Sequence, residues 1–413
     1  TAPSQTPVVV GAVVDANYTL QPSNTPRPTR TALITVPPRP TDTPAGPPAT
    51  PTLSPTPLPQ LDGQRVGIQI DTNLSREDWD AMLSRATEMG VGWIKVQASW
   101  AFLQPNGYNP DEQVLRTFEL NLQTAEQRGF KILISVAKAP PYVRSVEGES
   151  APPDDPQRLV EFLNMMFQQT KIGEAIDAIE IWNEPNLKRE WMTNNYAFSG
   201  AGYMQLFAPA YQAIRAYSPT MAIVTAGLAP TTTSDVSVDD RDYLQQMYAA
   251  GLGQYQDVFV GVHPYSWGNA PDARCCDMGG ERGWDEHPHF FFADNLDATR
   301  AIMNAGGHSN VQMWLTEFGW ATWEGFGVDL PEPPANNLWM NYNSAQNQAD
   351  YTLRALEIAQ LERTDVGNAF LWNLNFANPT SVQNRQEVVA YSLMLPGQNP
   401  RPLFYLLPFA LKR

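Results

Sequence analysis

The chain has 413 residues, too many for one small domain and about right for one large domain with an extension. Its 27 Lys and Arg against 43 Asp and Glu leave a formal net charge of −16, which argues against a binder of nucleic acid or anionic membrane, since each needs a cationic face. Two Cys exclude a disulfide scaffold or a Cys-rich metal site, and no apolar run approaches the roughly 20 residues that cross a bilayer.

Residues 1–60 stand apart by composition. They hold 15 of the 37 Pro, 12 Thr and five charged residues. Proline lacks an N–H and pins φ, so this stretch reads as an extended Pro/Thr-rich stalk or linker of a kind that is often O-glycosylated. Its two β-prone runs, Val8–Val14 and Ala32–Val36, leave open that it packs as strands on a neighbouring chain or a cell-surface component. Asn17 and Asn73 each begin a glycosylation sequon. The chain begins at Thr1 without a basic and apolar leader, and the expectation is a secreted, extracellular or cell-surface product whose signal has been removed.

From residue 61 to 413 short apolar runs alternate with helical spacing. The runs are 66–70, 92–97, 131–136, 178–182, 221–226, 258–263, 311–316 and 368–373. They are β-branched or aromatic with little polar alternation, as parallel strands buried on both faces require. Between and after them, helices are expected over 76–88, 111–127, 156–170, 202–217, 242–250, 294–304, 346–362 and 402–412. Ser75, three before Asp78, is placed to cap the first. Eight such repeats predict an α/β fold, a (β/α)8 TIM barrel preceded by the extended segment. A doubly wound open sheet is the rival, and it lacks a Gly-rich phosphate loop after its first strand.

A barrel puts chemistry at the C-terminal ends of its strands. Those ends are crowded with polar and aromatic groups: Lys95 to Trp100, Tyr142, Trp182-Asn183-Glu184, His263 to Trp267, Glu317 to Trp320 and Trp372. Glu184 and Glu317 lie 133 positions apart, so no local turn joins them, but strands four and seven of a barrel point into one cup. A glycosidic bond is cleaved by such a pair, one carboxyl protonating the leaving oxygen and the other attacking carbon or activating water. The two pKa values are then expected to be pushed apart, with the acid protonated.

Asn183-Glu184-Pro185 after an apolar strand, with Thr316-Glu317-Phe318-Gly319 on a later one, resembles clan A of the glycoside hydrolases, family 39 most closely and family 5 next. The resemblance spans residues 61–413. It implies a retaining double displacement with Glu184 as acid/base and Glu317 as nucleophile. It also implies that Asn183 binds the sugar 2-hydroxyl, that Tyr265 or His263 supports the nucleophile, and that Trp372 floors the subsite. No cofactor or metal is implied. The substrate would be a polysaccharide or oligosaccharide. Lys95 stands where many clan members carry Arg, and either supports the nucleophile or forms a buried structural ion pair. Trp100, Tyr142, Trp267 and Trp320 are candidate sugar contacts, whereas Trp182 is expected in the core. Adjacent Cys275 and Cys276 form a vicinal disulfide or remain two thiols. Asp285-Glu-His-Pro-His289 carries metal-ligating groups but reads as a solvated loop. The competing function is a carbohydrate-binding or structural surface protein on the same barrel; a barrel aldolase would need a Schiff-base Lys, with only Lys95 and Lys138 at strand tops.

Overall fold

The computed structural model describes residues 60–148, 150–276, 286–327, 330 and 332–412. The Pro/Thr-rich stretch to residue 59, with its β-prone runs and Asn17, lies outside these residues, as does Asp285. Eight parallel strands form the expected closed barrel. They are β1 (Val66–Gln69), β2 (Trp93–Ser99), β3 (Lys131–Ala137), β4 (Ala178–Ile181), β5 (Ala222–Thr225), β6 (Val258–Val262), β7 (Met313–Phe318) and β8 (Val366–Leu371). The ring closes where Gly67 of β1 pairs with Phe370 of β8. A Cβ at Gly67 would meet the Phe370 ring at 2.3 Å, so the closing seam requires glycine there.

Eight main helices follow: α1 (Arg76–Met89), α2 (Glu112–Gln127), α3 (Gln157–Gln168), α4 (Gly200–Tyr217), α5 (Asp240–Ala249), α6 (Phe292–Ala305), α7 (Ala345–Glu357) and α8 (Pro402–Ala410). Their starts are written locally. Ser75 accepts from the Asp78 amide, Asp111 from Gln113 and Val114, and Ser344 forms a reciprocal capping box with Asn347. Gly90 closes α1 in the left-handed region. The 346–362 pattern ends differently from a straight helix, because residues 358–362 widen into a π turn. Short strands Leu61–Asp62 and Leu411–Lys412 pair in parallel, tying the two ends of the described chain together. No helix of the described residues is long and apolar enough to cross a membrane.

Period-two alternation sorts the strand residues into two cores. One face, including Ile94, Val96, Ile132, Ile134, Ile179 and Ile181, packs against the helices. The opposite face fills the barrel with Trp93, Leu133, Ala178, Val224, Trp314 and Phe370, the rings of Trp93 and Trp314 meeting edge-on at 5.4 Å. Two positions further along β2, β3 and β4 this interior face turns polar, with Lys95, Ser135 and Glu180, all buried. That polar layer is the base on which the candidate site stands.

Candidate active site

Ionisable groups in an interior are tolerated only when paired. The polar layer obeys this through one cation. Lys95 Nζ lies 2.9 Å from Glu180 Oε2 and 2.9 Å from Glu317 Oε1, and it also donates to the Thr316 carbonyl. Lys95 is thus part of a buried ion pair with Glu180 and also contacts the Glu317 carboxylate. Burial would lower its pKa, but the two carboxylates outweigh this and raise it. Burial would likewise raise Glu180, but the charge of Lys95 and then His263 take it down to about 2. Glu180 also accepts from the Gly227 amide at 3.1 Å, linking β4 to the end of β5.

Glu317 owes its aim to an irregularity. The β7–β8 pairing shifts register between Leu315 and Phe318, so an extra residue on β7 lets consecutive Thr316 and Glu317 both serve the interior network. The Tyr265 hydroxyl donates to Glu317 Oε2 at 3.0 Å. Glu184 sits just beyond β4, on a turn where Trp182 and Glu184 itself take positive φ of 75° and 40°. Non-glycine residues in that region store about 1–3 kcal/mol each, and such strain concentrates at functional sites. The Glu184 amide donates to the Gly227 carbonyl, holding the turn.

His263, at the end of β6, is fully buried between these acids. Its Nδ1 is 3.1 Å from Glu184 Oε1 and 3.9 Å from Glu317 Oε2, and its Nε2 is 3.8 Å from Glu180 Oε1. A Cβ at Gly227 would lie 2.2 Å from the imidazole, so that close seat depends on glycine. Burial would lower the His263 pKa, but Glu317, Glu180 and Glu184 together raise it to about 9. One oxygen each of Glu184 and Glu317 and one His263 nitrogen lie within 4.8 Å of one another. The spacing suits a metal, but Lys95 and His263 already neutralise the carboxylates, and a cation would have to displace them.

Glu184, expected to carry the raised pKa of the catalytic pair, carries a lowered one. Burial raises it, but His263 and then Arg189, whose Nη2 lies 3.2 Å from Glu184 Oε2, outweigh burial and lower it. Near Glu184, burial instead pushes Glu190 and Glu387 up, to about 7 and about 8. The sequence reading overlooked Glu180, Arg189, Glu190 and Glu387. Only Glu180 carried a signal, a lone carboxylate within Ala178-Ile-Glu-Ile181.

Asn183 adjoins Glu184, and its Oδ1 is buried with no protein partner. Trp372, just past β8, meets Tyr265 at 6.1 Å and Tyr391 at 5.1 Å, edge-on to both. Trp267 belongs to the same aromatic cluster, its ring edge-on to Phe290. Tyr142 is partly exposed and packs edge-on to Tyr108, away from this cluster. Trp100 and Trp320 both pack in the core between strands and helices. Each is 1% exposed, Trp100 stacked on Phe162 with its N–H given to Gln104, and Trp320 beside Phe292 with its N–H given to Asn269. Trp182 is core as expected. Cys275 and Cys276 are joined as a vicinal disulfide, with Cys275 packed against the aromatic cluster.

The family model described as Cellulase (glycosyl hydrolase family 5) matches residues 60–356. No curated protein matches the chain. Among solved structures, a family 39 glycoside hydrolase from the gut symbiont Bacteroides cellulosilyticus WH2 aligns with a TM-score of 0.60 at 16% identity, over 85% of this chain and 63% of that one. The chain thus spans less than two thirds of that protein's length. A monomeric beta-xylosidase from Caulobacter crescentus CB15 aligns at 0.56 and 15% identity, over 85% and 69% of the two chains. The beta-glycosidase BGL167 aligns at 0.52 and 16%, over 86% and 96%. At these identities the likeness establishes the barrel fold.

Proposed function

The chain belongs to glycosyl hydrolase family 5, an O-glycosyl hydrolase of clan A, and from that premise we propose a retaining mechanism on a β-linked glycan, run by Glu317 as nucleophile and Glu184 as acid/base. The observation that carries this reading is the approach of the two carboxylates to within 4.8 Å, oxygen to oxygen. Retaining enzymes hold their carboxyl groups about 5–5.5 Å apart, whereas inverting ones leave about 6.5–9.5 Å for a water.

Glu317 attacks the anomeric carbon as Glu184 delivers a proton to the leaving oxygen. The Tyr265 hydroxyl and the Lys95 ammonium hold the Glu317 carboxyl in place and aimed. The proton store is the Glu184–His263 pair: His263 is cationic near neutrality because of the surrounding acids, and Glu317 is the largest cause. Ester formation removes the charge of Glu317, so His263 then holds its proton less firmly and releases it through Glu184. In the second step Glu184 takes a proton from water, and the glycosyl ester is hydrolysed. Asn183 Oδ1, unpartnered in the protein, accepts from the sugar 2-hydroxyl, a bond that strengthens as the oxocarbenium ion develops. Trp372 offers an aromatic floor.

Glu317→Ala should abolish turnover while leaving the fold intact. Glu184→Ala should lose activity on natural glycans yet retain cleavage of aryl glycosides, whose leaving groups need no proton. Full activity of both variants on xylan, glucan, mannan and galactan substrates would refute the assignment. We infer an extracellular or cell-surface location from the joined cysteines and the Pro/Thr-rich stretch; recovery of the native chain solely from cytosol would overturn it.

A further inference from the structure

A second cluster of ligating groups stands apart from the catalytic acids, at the rim formed by the segments that follow β5 and β6. Asp239 and Asp240 open helix α5, and His289 lies in the short turn (Pro288–Phe290) that leads into α6. One oxygen of each aspartate and one nitrogen of His289 all lie within 4.8 Å of one another. His289 is 3% exposed. Its Nδ1 faces both acids, 3.5 Å from Asp239 Oδ2 and 3.7 Å from Asp240 Oδ1. Both separations are within ion-pair distance. Its other nitrogen, Nε2, is buried with no partner. The imidazole is thus sequestered, with one nitrogen turned toward two carboxylates.

The carboxylates are already oriented by other groups. Asp239 Oδ1 accepts the amides of Arg241 and Asp242, leaving Oδ2 toward His289. Asp240 Oδ2 accepts from Asn295 of α6, and Oδ1 lies 3.4 Å from the Thr231 amide. Such outer partners fix metal ligands in place. Arg241 does not explain the cluster as a salt bridge, since its Nε and Nη2 make no hydrogen bond.

We propose that Asp239, Asp240 and His289 bind one divalent transition cation of the zinc or manganese type, clamping the start of α5 to the turn before α6. Two carboxylate oxygens with one imidazole nitrogen suit such ions better than calcium, which prefers oxygen ligands throughout. With ligands about 2.0–2.2 Å from a common centre, the nitrogen would approach each oxygen by a few tenths of an ångström from its present 3.5 and 3.7 Å. Water would complete the shell.

The test uses the full chain, stripped with a chelator and titrated with Zn²⁺, Mn²⁺ or Ca²⁺, following heat of binding and melting temperature. The expected result is one equivalent of Zn²⁺ or Mn²⁺, a raised melting temperature and weaker Ca²⁺ binding. Asp239→Asn keeps the helix cap, since Asn caps as well as Asp, and His289→Gln keeps a polar side chain. Each should weaken affinity at least as much as loss of an outer-shell partner does, about 10–100-fold. Glu317→Gln should leave the stoichiometry unchanged. The proposal is overturned if neither transition ion binds, if both site variants bind as tightly as the native chain, or if Glu317→Gln removes the binding.

Discussion

Lys95 reaches across the barrel from β2 to β7 and sets its Nζ 2.9 Å from Oε1 of Glu317. The same nitrogen is 2.9 Å from Glu180 on β4, so one ammonium balances two buried carboxylates. Removing one member of a buried ion network leaves its partners uncompensated, and this is more damaging than removing the whole network. Lys95→Met should therefore destabilise the fold by about 3–5 kcal/mol in urea titrations. Lys95→Met combined with Glu180→Gln should recover part of that loss. A double variant less stable than the single one would contradict the shared-cation account.

The acid-side stability of the protein should depend on Glu180. Its folded pKa, about 2, is depressed from 4.5. A depressed carboxyl contributes stability that is present above its unfolded value and is lost as pH falls through the folded one. Melting temperature should decline as pH drops from about 4.5 toward 2, and Glu180→Gln should flatten that decline. An unchanged slope in the variant would assign the acid sensitivity to other groups.

Glu387 acts in the opposite sense. Burial raises its folded pKa to about 8, so the protonated form is the one the fold prefers. Stability should fall as pH rises from about 4.5 to 8, with Glu190 and Asp240, both raised to about 7, contributing in the same direction. Glu387→Gln should be more stable than the native chain at pH 9 by several kcal/mol, since the folded pKa of about 8 lies well above 4.5 and each pKa unit corresponds to about 1.4 kcal/mol. The two curves should converge near pH 4. Equal stability at pH 9 would remove Glu387 from this role.

Asn183 should separate catalysis from folding. Its Oδ1 has no protein partner to lose, so Asn183→Ala should shift the melting temperature little. If the amide binds a sugar hydroxyl chiefly in the transition state, kcat and kcat/KM should fall together, by on the order of 10²-fold, with KM nearly constant. A rise in KM at constant kcat would mean that the contact is equally strong in the ground state.

The amino-acid sequence by itself determined the repeat and its chemistry. Runs such as 131–136 are apolar on both faces because a barrel strand has a packed interior on one side and helices on the other. Ser75, Asp111 and Ser344 mark helix starts by local hydrogen bonding alone. Glu184 and Glu317 were legible because each ends a strand in a polar and aromatic setting, and strands four and seven of a closed barrel converge. What tertiary structure alone decided was direction and partnership. Trp100 and Trp320 look like Trp267 in sequence, yet neighbouring rings and the acceptors Gln104 Oε1 and the Asn269 carbonyl engage them, and only the packing fixes where an indole face turns. Glu317 faces the cup because a register shift re-aims the end of β7, and no strand pattern announces such a bulge. The charge of Glu184 depends on His263 and Arg189, 79 and five positions away, because in a buried site the protonation state is set by whatever groups replace water.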